Sequence, residues 1–341
     1  MLDFSSLSMT EIIRLQIRLQ DELTRRFERP LALVFSDIVG STPYFARFGD
    51  GAGRQLQQLH FDLLGAAVAA FGGRAVDTVG DGAFLAFPSA GAAVAGIIEF
   101  LRQTARANQS RGHQHQLQVR IGVHLGAVLT DGNEIAGDAV NLCARVAASA
   151  EPGDVRLTRA VFQEIDREQR LNCRPLGHVM VKGFEQAVEM MVLDWRDPMR
   201  FPRGVLVEET NERIDLPQQD IVTFGRLLNH AGSRANDIVL SHPEPNVLRQ
   251  ISRWHFELRR SEHGLALTAL SDGATTVDGV AVQRGAVANV HAGSRIGLAG
   301  VLNLRLIGVE RSSLNPDDSS TMLIVKGQRA GSIDPSTAAL P

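Results

Sequence analysis

Between Pro30 and Trp195 the chain changes its hydrophobic period repeatedly, and the order of those changes constrains the fold more than any other feature. Residues 31–38, 74–79, 83–87, 119–127 and 188–195 are short apolar runs that read as strands. Residues 50–71, 89–108 and 137–149 carry apolar positions at three- and four-residue steps and read as helices. Gly80-Asp81-Gly82 separates two strand runs and predicts a hairpin turn. Strand–helix–strand–strand–helix–strand is the ferredoxin-like order. Residues 108–116 form a polar connection between the second helix and the next strand.

The flanks read differently. Residues 8–28 predict a helix, with Ser8 as its cap and Glu11 three positions on. Its stripe of Ile12, Leu15, Leu19 and Leu23 is too short for a self-sufficient coiled coil. The stripe either pairs two chains or packs on its own domain. Residues 196–213, with Asp197-Pro198 and Pro202, read as a linker. Beyond it, short runs at 221–224, 238–240, 255–258, 265–269, 294–296 and 302–306 alternate with Gly-, Asn- and Asp-rich turns. That spacing predicts a β-sandwich. Residues 242–250 read as an insertion in one of its loops. From Arg311 the chain is rich in Ser, Asp, Pro and Gly and reads as a mobile tail. The expected fold class is therefore α+β, a ferredoxin-like domain followed by an all-β sandwich. The expected boundaries are 1–29 for a helical arm, 30–195 for the first domain, 196–213 for the linker, 214–310 for the second domain and 311–341 for the tail.

A length of 341 residues accommodates two ordinary domains. A net charge of -3 gives no reason to expect a nucleic-acid-binding surface. The two cysteines, Cys143 and Cys173, form neither a disulfide framework nor a metal-ligand spacing, which suits the cytosol. No apolar run reaches the roughly 18–20 residues of a membrane span, and no basic-then-apolar leader pattern opens the chain. The expectation is a cytoplasmic protein with no membrane insertion.

Two aspartates carry the chemistry. Asp37 follows an apolar run within Val34-Phe35-Ser36-Asp37-Ile38-Val39-Gly40-Ser41-Thr42, and Asp81 follows another within Thr78-Val79-Gly80-Asp81-Gly82. Carboxylates at neighbouring strand ends can share hard divalent cations. Small residues after Asp37 let backbone N–H groups approach phosphate oxygens. Metal plus triphosphate is the first reading; a bare Gly-Asp turn is the other. Further on, Asn141 and Arg145 stand four residues apart on one face of an expected helix.

Five segments in order resemble the class III nucleotidyl cyclases, the adenylate and guanylate cyclase family, over roughly residues 30–195. They are 35–42, 78–82, Val119-Arg120-Ile121-Gly122-Val123-His124, Gly137 through Arg145, and Val181-Lys182-Gly183. The resemblance implies attack of a ribose 3′-hydroxyl on the α-phosphorus of a nucleoside triphosphate, with loss of pyrophosphate. It implies that Asp37, Asp81 and the carbonyl of Ile38 hold two Mg²⁺ or Mn²⁺ ions, which acidify the hydroxyl and neutralise the triphosphate. The N–H groups of Val39, Gly40, Ser41 and Thr42 would cradle the phosphates. Asn141 would position the ribose and Arg145 would stabilise charge on the α-phosphate. Arg120 and Lys182 match residues that grip the terminal phosphates. In this family one site draws on two chains, so the resemblance implies a homodimer with shared sites.

One departure concerns the base. Asp77, four residues before Asp81, stands where adenylate cyclases of the family usually have lysine and guanylate cyclases glutamate. Glu134, three residues before Gly137, stands at the partner position. An ionised carboxylate only accepts hydrogen bonds, so Asp77 suits donors of guanine or of a pyrimidine better than adenine N1. The frequency of adenylate cyclases in such families favours ATP. The substrate stays open between ATP, GTP and a pyrimidine triphosphate. The rival to an enzyme is a degenerate nucleotide-binding scaffold.

The second domain resembles a forkhead-associated (FHA) domain through Gly225-Arg226, 236–240, Ser252-Arg253-Trp254-His255 and 272–279. Such domains bind phosphothreonine peptides. Arg226 and Ser252 match the phosphate contacts, with Arg253 beside them, and His255 matches a residue that buttresses the Ser252 loop. Asp272 replaces the asparagine that normally grips the peptide backbone, placing a repulsive carboxylate near the phosphate. The ligand is expected to be a phosphothreonine-containing protein or the chain's own tail at Thr321.

Overall fold

The computed structural model describes residues 7–308 except 198–199, 231–232, 243 and 262. The tail, including Thr321, lies outside the described residues. So the expectation that the tail supplies a ligand has no structural counterpart here.

Helix α1 (Met9–Phe27) starts at a complete capping box, Ser8 Oγ accepting from the Glu11 amide while the Glu11 carboxylate accepts from the Ser8 amide at 2.8 Å. No residue of α1 is buried, and Ile12, Ile13, Ile17, Leu19 and Leu23 all stay exposed. The stripe is therefore open rather than packed on its own domain.

The first domain follows as β1 (Glu28–Ile38), α2 (Ser41–Ala70), β2 (Arg74–Val79), β3 (Gly82–Phe87), α3 (Ala90–Asn108), β4 (Val119–Thr130), β5 (Ile135–Ala136) and α4 (Asp138–Ala148). It closes with β6 (Val155–Thr158), α5 (Arg159–Glu164), α6 (Arg167–Leu171), β7 (Cys173–Val179) and β8 (Val188–Leu193). The sheet order β2-β3-β1-β4 is the ferredoxin-like arrangement, extended by β6, β8 and β7. Alternation along β1 sorts its faces. Ala32, Val34 and Ile38 join the core under α2 and α3, whereas Leu33 packs with Cys143 of α4 on the other face. By the same period Asp37 belongs to the α4 face and Ser36 to the α2 face.

Helix α2 begins nine residues before the expected start. Gly49, at φ 82°, breaks a continuous helical path in the left-handed region, so the periodicity is legible only beyond it.

The second domain is a sandwich. Its strands are β9 (Gly204–Val207), β10 (Glu212–Asp215), β11 (Ile221–Gly225), β12 (Asn229–His230), β13 (Ser233–Arg234), β14 (Ile238–Val239), β15 (Phe256–Ser261) and β16 (Gly264–Ala269). There follow β17 (Thr275–Val277), β18 (Val280–Val282), β19 (Val287–Val290), β20 (Arg295–Leu298) and β21 (Leu302–Ile307), with a short helix α7 (Pro245–Leu248) inside the expected insertion. One sheet runs β10-β9-β21-β20-β17-β18 and the other β14-β11-β15-β16-β19. Phe224, Phe256, Leu258, Leu267, Ile296 and Leu304 fill the space between them. The second part of the segment read as linker, 196–213, enters the sandwich: β9 pairs with both β10 and β21. Val205 and Val207 are buried there, so this hairpin is sandwich, not tether.

Candidate functional site

The first site gathers at one end of the ferredoxin-like sheet. Asp37 is the penultimate residue of β1 and sits opposite Arg120 of β4 in the antiparallel register. Arg120 donates through Nε at 2.9 Å and Nη2 at 2.6 Å to the same oxygen, Oδ2 of Asp37. The other oxygen has no hydrogen-bond partner among the described residues. Asp81 occupies the β2–β3 turn, and β3 pairs directly with β1, Ala83 facing Ser36. That pairing brings the two aspartates to neighbouring strand ends. Asp81 Oδ2 is buried and lacks a hydrogen-bond partner among the described residues. A buried carboxylate oxygen without a donor is costly unless a cation supplies the charge. The donor set therefore fits a hard divalent ion, with Ile38 at the end of β1 beside it. No three acidic, His or Cys side chains cluster to hold a metal among the described residues. Two carboxylates and a backbone carbonyl would need oxygen ligands from the substrate to complete a shell.

A histidine stabilises this corner. His60 of α2 is fully buried; its Nδ1 lies 3.2 Å from the Asp81 carbonyl and its Nε2 2.9 Å from Ser36 Oγ. A carbonyl only accepts, so Nδ1 carries the proton and Nε2 accepts from the Ser36 hydroxyl. Burial lowers the His60 pKa to about 4, which keeps the ring neutral near pH 7. Gln57, one turn earlier, donates to the Gly80 carbonyl. These two side chains fasten the metal-facing turn to α2. Neither was read from the sequence as functional, since a histidine at an apolar helix position looks like core. Its spacing of three from Gln57 is the only available signal.

The phosphate-facing set is smaller than expected. The Val39 amide donates to the Gln118 carbonyl at 2.8 Å and so is not free for a ligand. Gly40, left-handed at φ 70°, ends the strand and starts α2 without a side-chain cap. Ser41 and Thr42 then present first-turn amides that have no intrahelical acceptor.

The remaining first-domain residues lie apart from that corner in the chain. Asn141 and Arg145 are exposed one turn apart on α4, whose other face buries Cys143, Val146 and Ala147. Burial pushes the Cys143 thiol pKa far up, and the group donates weakly to the Leu33 carbonyl, as a packing residue does. Asp77 is exposed on β2 and accepts from the Thr78 amide at 2.7 Å. Glu134 is exposed just before β5, its amide donating to Asp131. Lys182 is exposed beside buried Val181.

The second site is a pair of loops. Arg226 follows β11; its amide donates to the Ser252 carbonyl at 3.1 Å and its Nε to the Ile251 carbonyl at 2.8 Å. Ser252 is half-buried and Arg253 exposed beside it. The Ser252 amide donates to His255 Nδ1 at 3.1 Å, so His255, fully buried, does buttress this loop. Asn236 was quoted in the resemblance without a role. It is 1% exposed and its amide nitrogen donates at 2.8 Å to both the Leu227 and Arg253 carbonyls, clamping the two loops together. Asp272 lies 3.2 Å from Arg284, which offsets the carboxylate charge expected to repel a phosphate.

Comparison with known proteins matches both halves. Residues 25–194 fit the model of the adenylate and guanylate cyclase catalytic domain, and residues 222–299 fit that of the FHA domain. An adenylate cyclase of Streptomyces coelicolor is 32% identical over 137 residues, covering 40% of this chain and 34% of the relative. A receptor-type adenylate cyclase of Trypanosoma congolense is 26% identical over 216 residues, covering 51% of this chain and 29% of the relative. The chain thus spans about a third of the length of the curated relatives it matches. A crystal structure of an adenylate/guanylate cyclase/hydrolase from Silicibacter pomeroyi is 27% identical, covers 49% of this chain and 96% of its own, and has a TM-score of 0.43. No helix among the described residues is long and apolar enough to cross a membrane. Through residues 25–194 the chain belongs to the class III adenylate and guanylate cyclases, and through residues 222–299 it belongs to the FHA domains.

Proposed function

We propose that the chain is a nucleotidyl cyclase that converts ATP or GTP into the 3′,5′-cyclic nucleotide and pyrophosphate, and that its FHA domain docks a phosphothreonine segment. The observation that carries the enzyme reading is the donor set: Asp37 with one unpaired oxygen beside Asp81 with a buried unpaired oxygen, at adjacent strand ends. When bound there, two Mg²⁺ or Mn²⁺ ions would lower the pKa of the 3′-hydroxyl and neutralise the triphosphate. The chain's own residues do the rest. Ser41 and Thr42 amides receive phosphate oxygens at the start of α2. Arg120 holds the Asp37 carboxylate in place while facing the same corner. As the bond from the 3′-oxygen to the α-phosphorus forms, the bond to the pyrophosphate oxygen breaks. The hydroxyl proton leaves to solvent.

Asn141 and Arg145 point to a homodimer. They are exposed on α4 and make no hydrogen bond to the Asp37–Asp81 corner of their own chain. A two-fold dimer would let each α4 serve the partner's corner, and the open stripe of α1 would extend the contact. Asp77 and Glu134 present two acceptors to the base, which favours guanine on chemical grounds. Incubating the full chain with each triphosphate and Mn²⁺, and identifying products by mass spectrometry, tests this reading. A cyclic nucleotide lost on Asp81→Ala supports it; bound but unconverted triphosphate would favour the scaffold reading.

A further inference from the structure

A cavity of about 420 Å³ lies at the junction of the two domains, lined by none of the site residues described above. Its walls carry five guanidinium groups against two carboxylates. Arg102 and Arg106 stand one turn apart on α3 and are exposed to the cavity mouth. Arg196 and Arg200 come from the connection after β8, and Arg260 from β15. The carboxylates are Asp197 and Asp220.

The charge at the back of the cavity is not balanced internally. Asp220 gives one oxygen to Arg196 and the other to Asn108 at 2.7 Å, so both are committed. Arg260 is 5% exposed, and Asp220, already held by Arg196, acts on it only through its charge, with no direct ion pair among the described residues. It donates only to the carbonyls of Pro217 and Gln219, and its Nε is buried without a partner. Two buried cations thus share one anion. Burial lowers the pKa of Arg196 to about 10 and, with the nearby Arg196 charge adding to the effect, that of Arg260 to about 9. A buried guanidinium without an anion is a costly arrangement in a fold. It becomes favourable when an anion with several acceptor oxygens enters, because guanidiniums pair phosphate through parallel hydrogen bonds.

We propose that this cavity binds a small phosphate-bearing molecule, held between α3 of the cyclase domain and β15 of the FHA domain. The cavity volume suits a nucleotide-sized ligand as well as free phosphate. The cavity shares no residue with the Asp37–Asp81 corner or the Arg226–Ser252 loops.

Calorimetric titration of the full chain tests it, with inorganic phosphate and AMP as probes at constant ionic strength. Saturable binding is expected, weakened about tenfold or more in Arg102→Gln with Arg106→Gln, whose side chains are exposed and whose loss should spare the fold. Arg260→Gln should abolish binding if that variant folds, and the α3 double variant decides the matter if it does not. AMP binding more tightly than phosphate would assign the cavity to a nucleotide; equal affinity would assign it to phosphate itself, and either outcome supports the site. Binding that survives the α3 double variant but vanishes in Asp81→Ala or Arg226→Ala would overturn the proposal, as would absence of saturable binding at millimolar phosphate.

Discussion

The chain builds its two candidate sites by opposite means. The cyclase corner is made of half-buried charged side chains at neighbouring strand ends, backed by one buried neutral histidine, while Asn141 and Arg145 lie exposed on α4. The FHA site is made of loops tied to each other by buried side chains, Asn236 across both and His255 beneath one, and is complete within a single chain. The first arrangement leaves an oxygen of Asp81 without a partner; in the second the Asn236 nitrogen serves two carbonyls, while Asn236 Oδ1 and His255 Nε2 also lack a partner among the described residues.

The largest break in the comparison should come from Asp81→Ala. Turnover is expected to fall by about a thousandfold or more, since the metal site loses a ligand. Phosphopeptide binding by the FHA domain should stay unchanged, and steady-state kinetics beside calorimetry reads both. Near-normal turnover would mean that this corner does not hold the metal.

Sharing between chains comes next. Asp37→Ala and Arg145→Ala should each be inactive alone. After subunit exchange, half the dimers are mixed and each has one intact site, so activity should return to about a quarter of wild type. No recovery despite exchange shown by native mass spectrometry would put both residue sets in one chain's site.

Asn236→Ala should strike the other site. The Leu227 carbonyl loses this donor and the Arg253 carbonyl keeps only the Leu227 amide, at a cost of about 1–3 kcal/mol in the unfolding of the sandwich. Affinity for a phosphothreonine peptide should fall by about tenfold while turnover holds. Equal affinity would show that the clamp is not what shapes the loops.

Acid should load both domains through buried histidines, since burial lowers the His255 pKa in the FHA domain as well. His60 and His124 both have folded pKa values lowered by burial to about 4, below the ordinary 6.5. A lowered histidine pKa contributes stability that is complete above about 6.5 and is lost as pH falls through about 4. Chemical denaturation at stepped pH should therefore show the cyclase domain weakening across that window. In His60→Gln the slope should flatten, since one of the buried histidines of the cyclase domain is gone. An unaltered slope would remove His60 from the account. The smallest effect is expected from Arg284→Ala, which leaves the Asp272 charge uncompensated and should weaken phosphopeptide binding by about two- to threefold.

Much of this was legible in the sequence because it rests on local pattern. Residues 74–79 and 89–108 matched their elements to within a residue, Ser89 proving to be the cap of α3. Asp37 and Asp81 stood out because strand-like runs lead into them. The short strands β9 and β10 did not stand out, being four residues each and preceded by two prolines. Asn211, left-handed at φ 55° between them, was the turn signal available. What local pattern cannot show is pairing across distance. The Val39 amide is taken by Gln118, some eighty positions away, and His60 finds Ser36 and Asp81 only once α2 lies on the sheet. Arg284 beside Asp272 is the same kind of fact.

Strand β11 has a consequence of its own. Asp220, at one end, is fastened to α3 through Asn108 and to the interdomain connection through Arg196. Arg226, at the other end, heads the phosphate loop, and the residues between are buried throughout. A strand of five residues spans about 17 Å and scarcely stretches. Domain docking and the proposed peptide capture would thus be two loads on one short beam, a ligand that stiffens either end reducing the freedom left at the other.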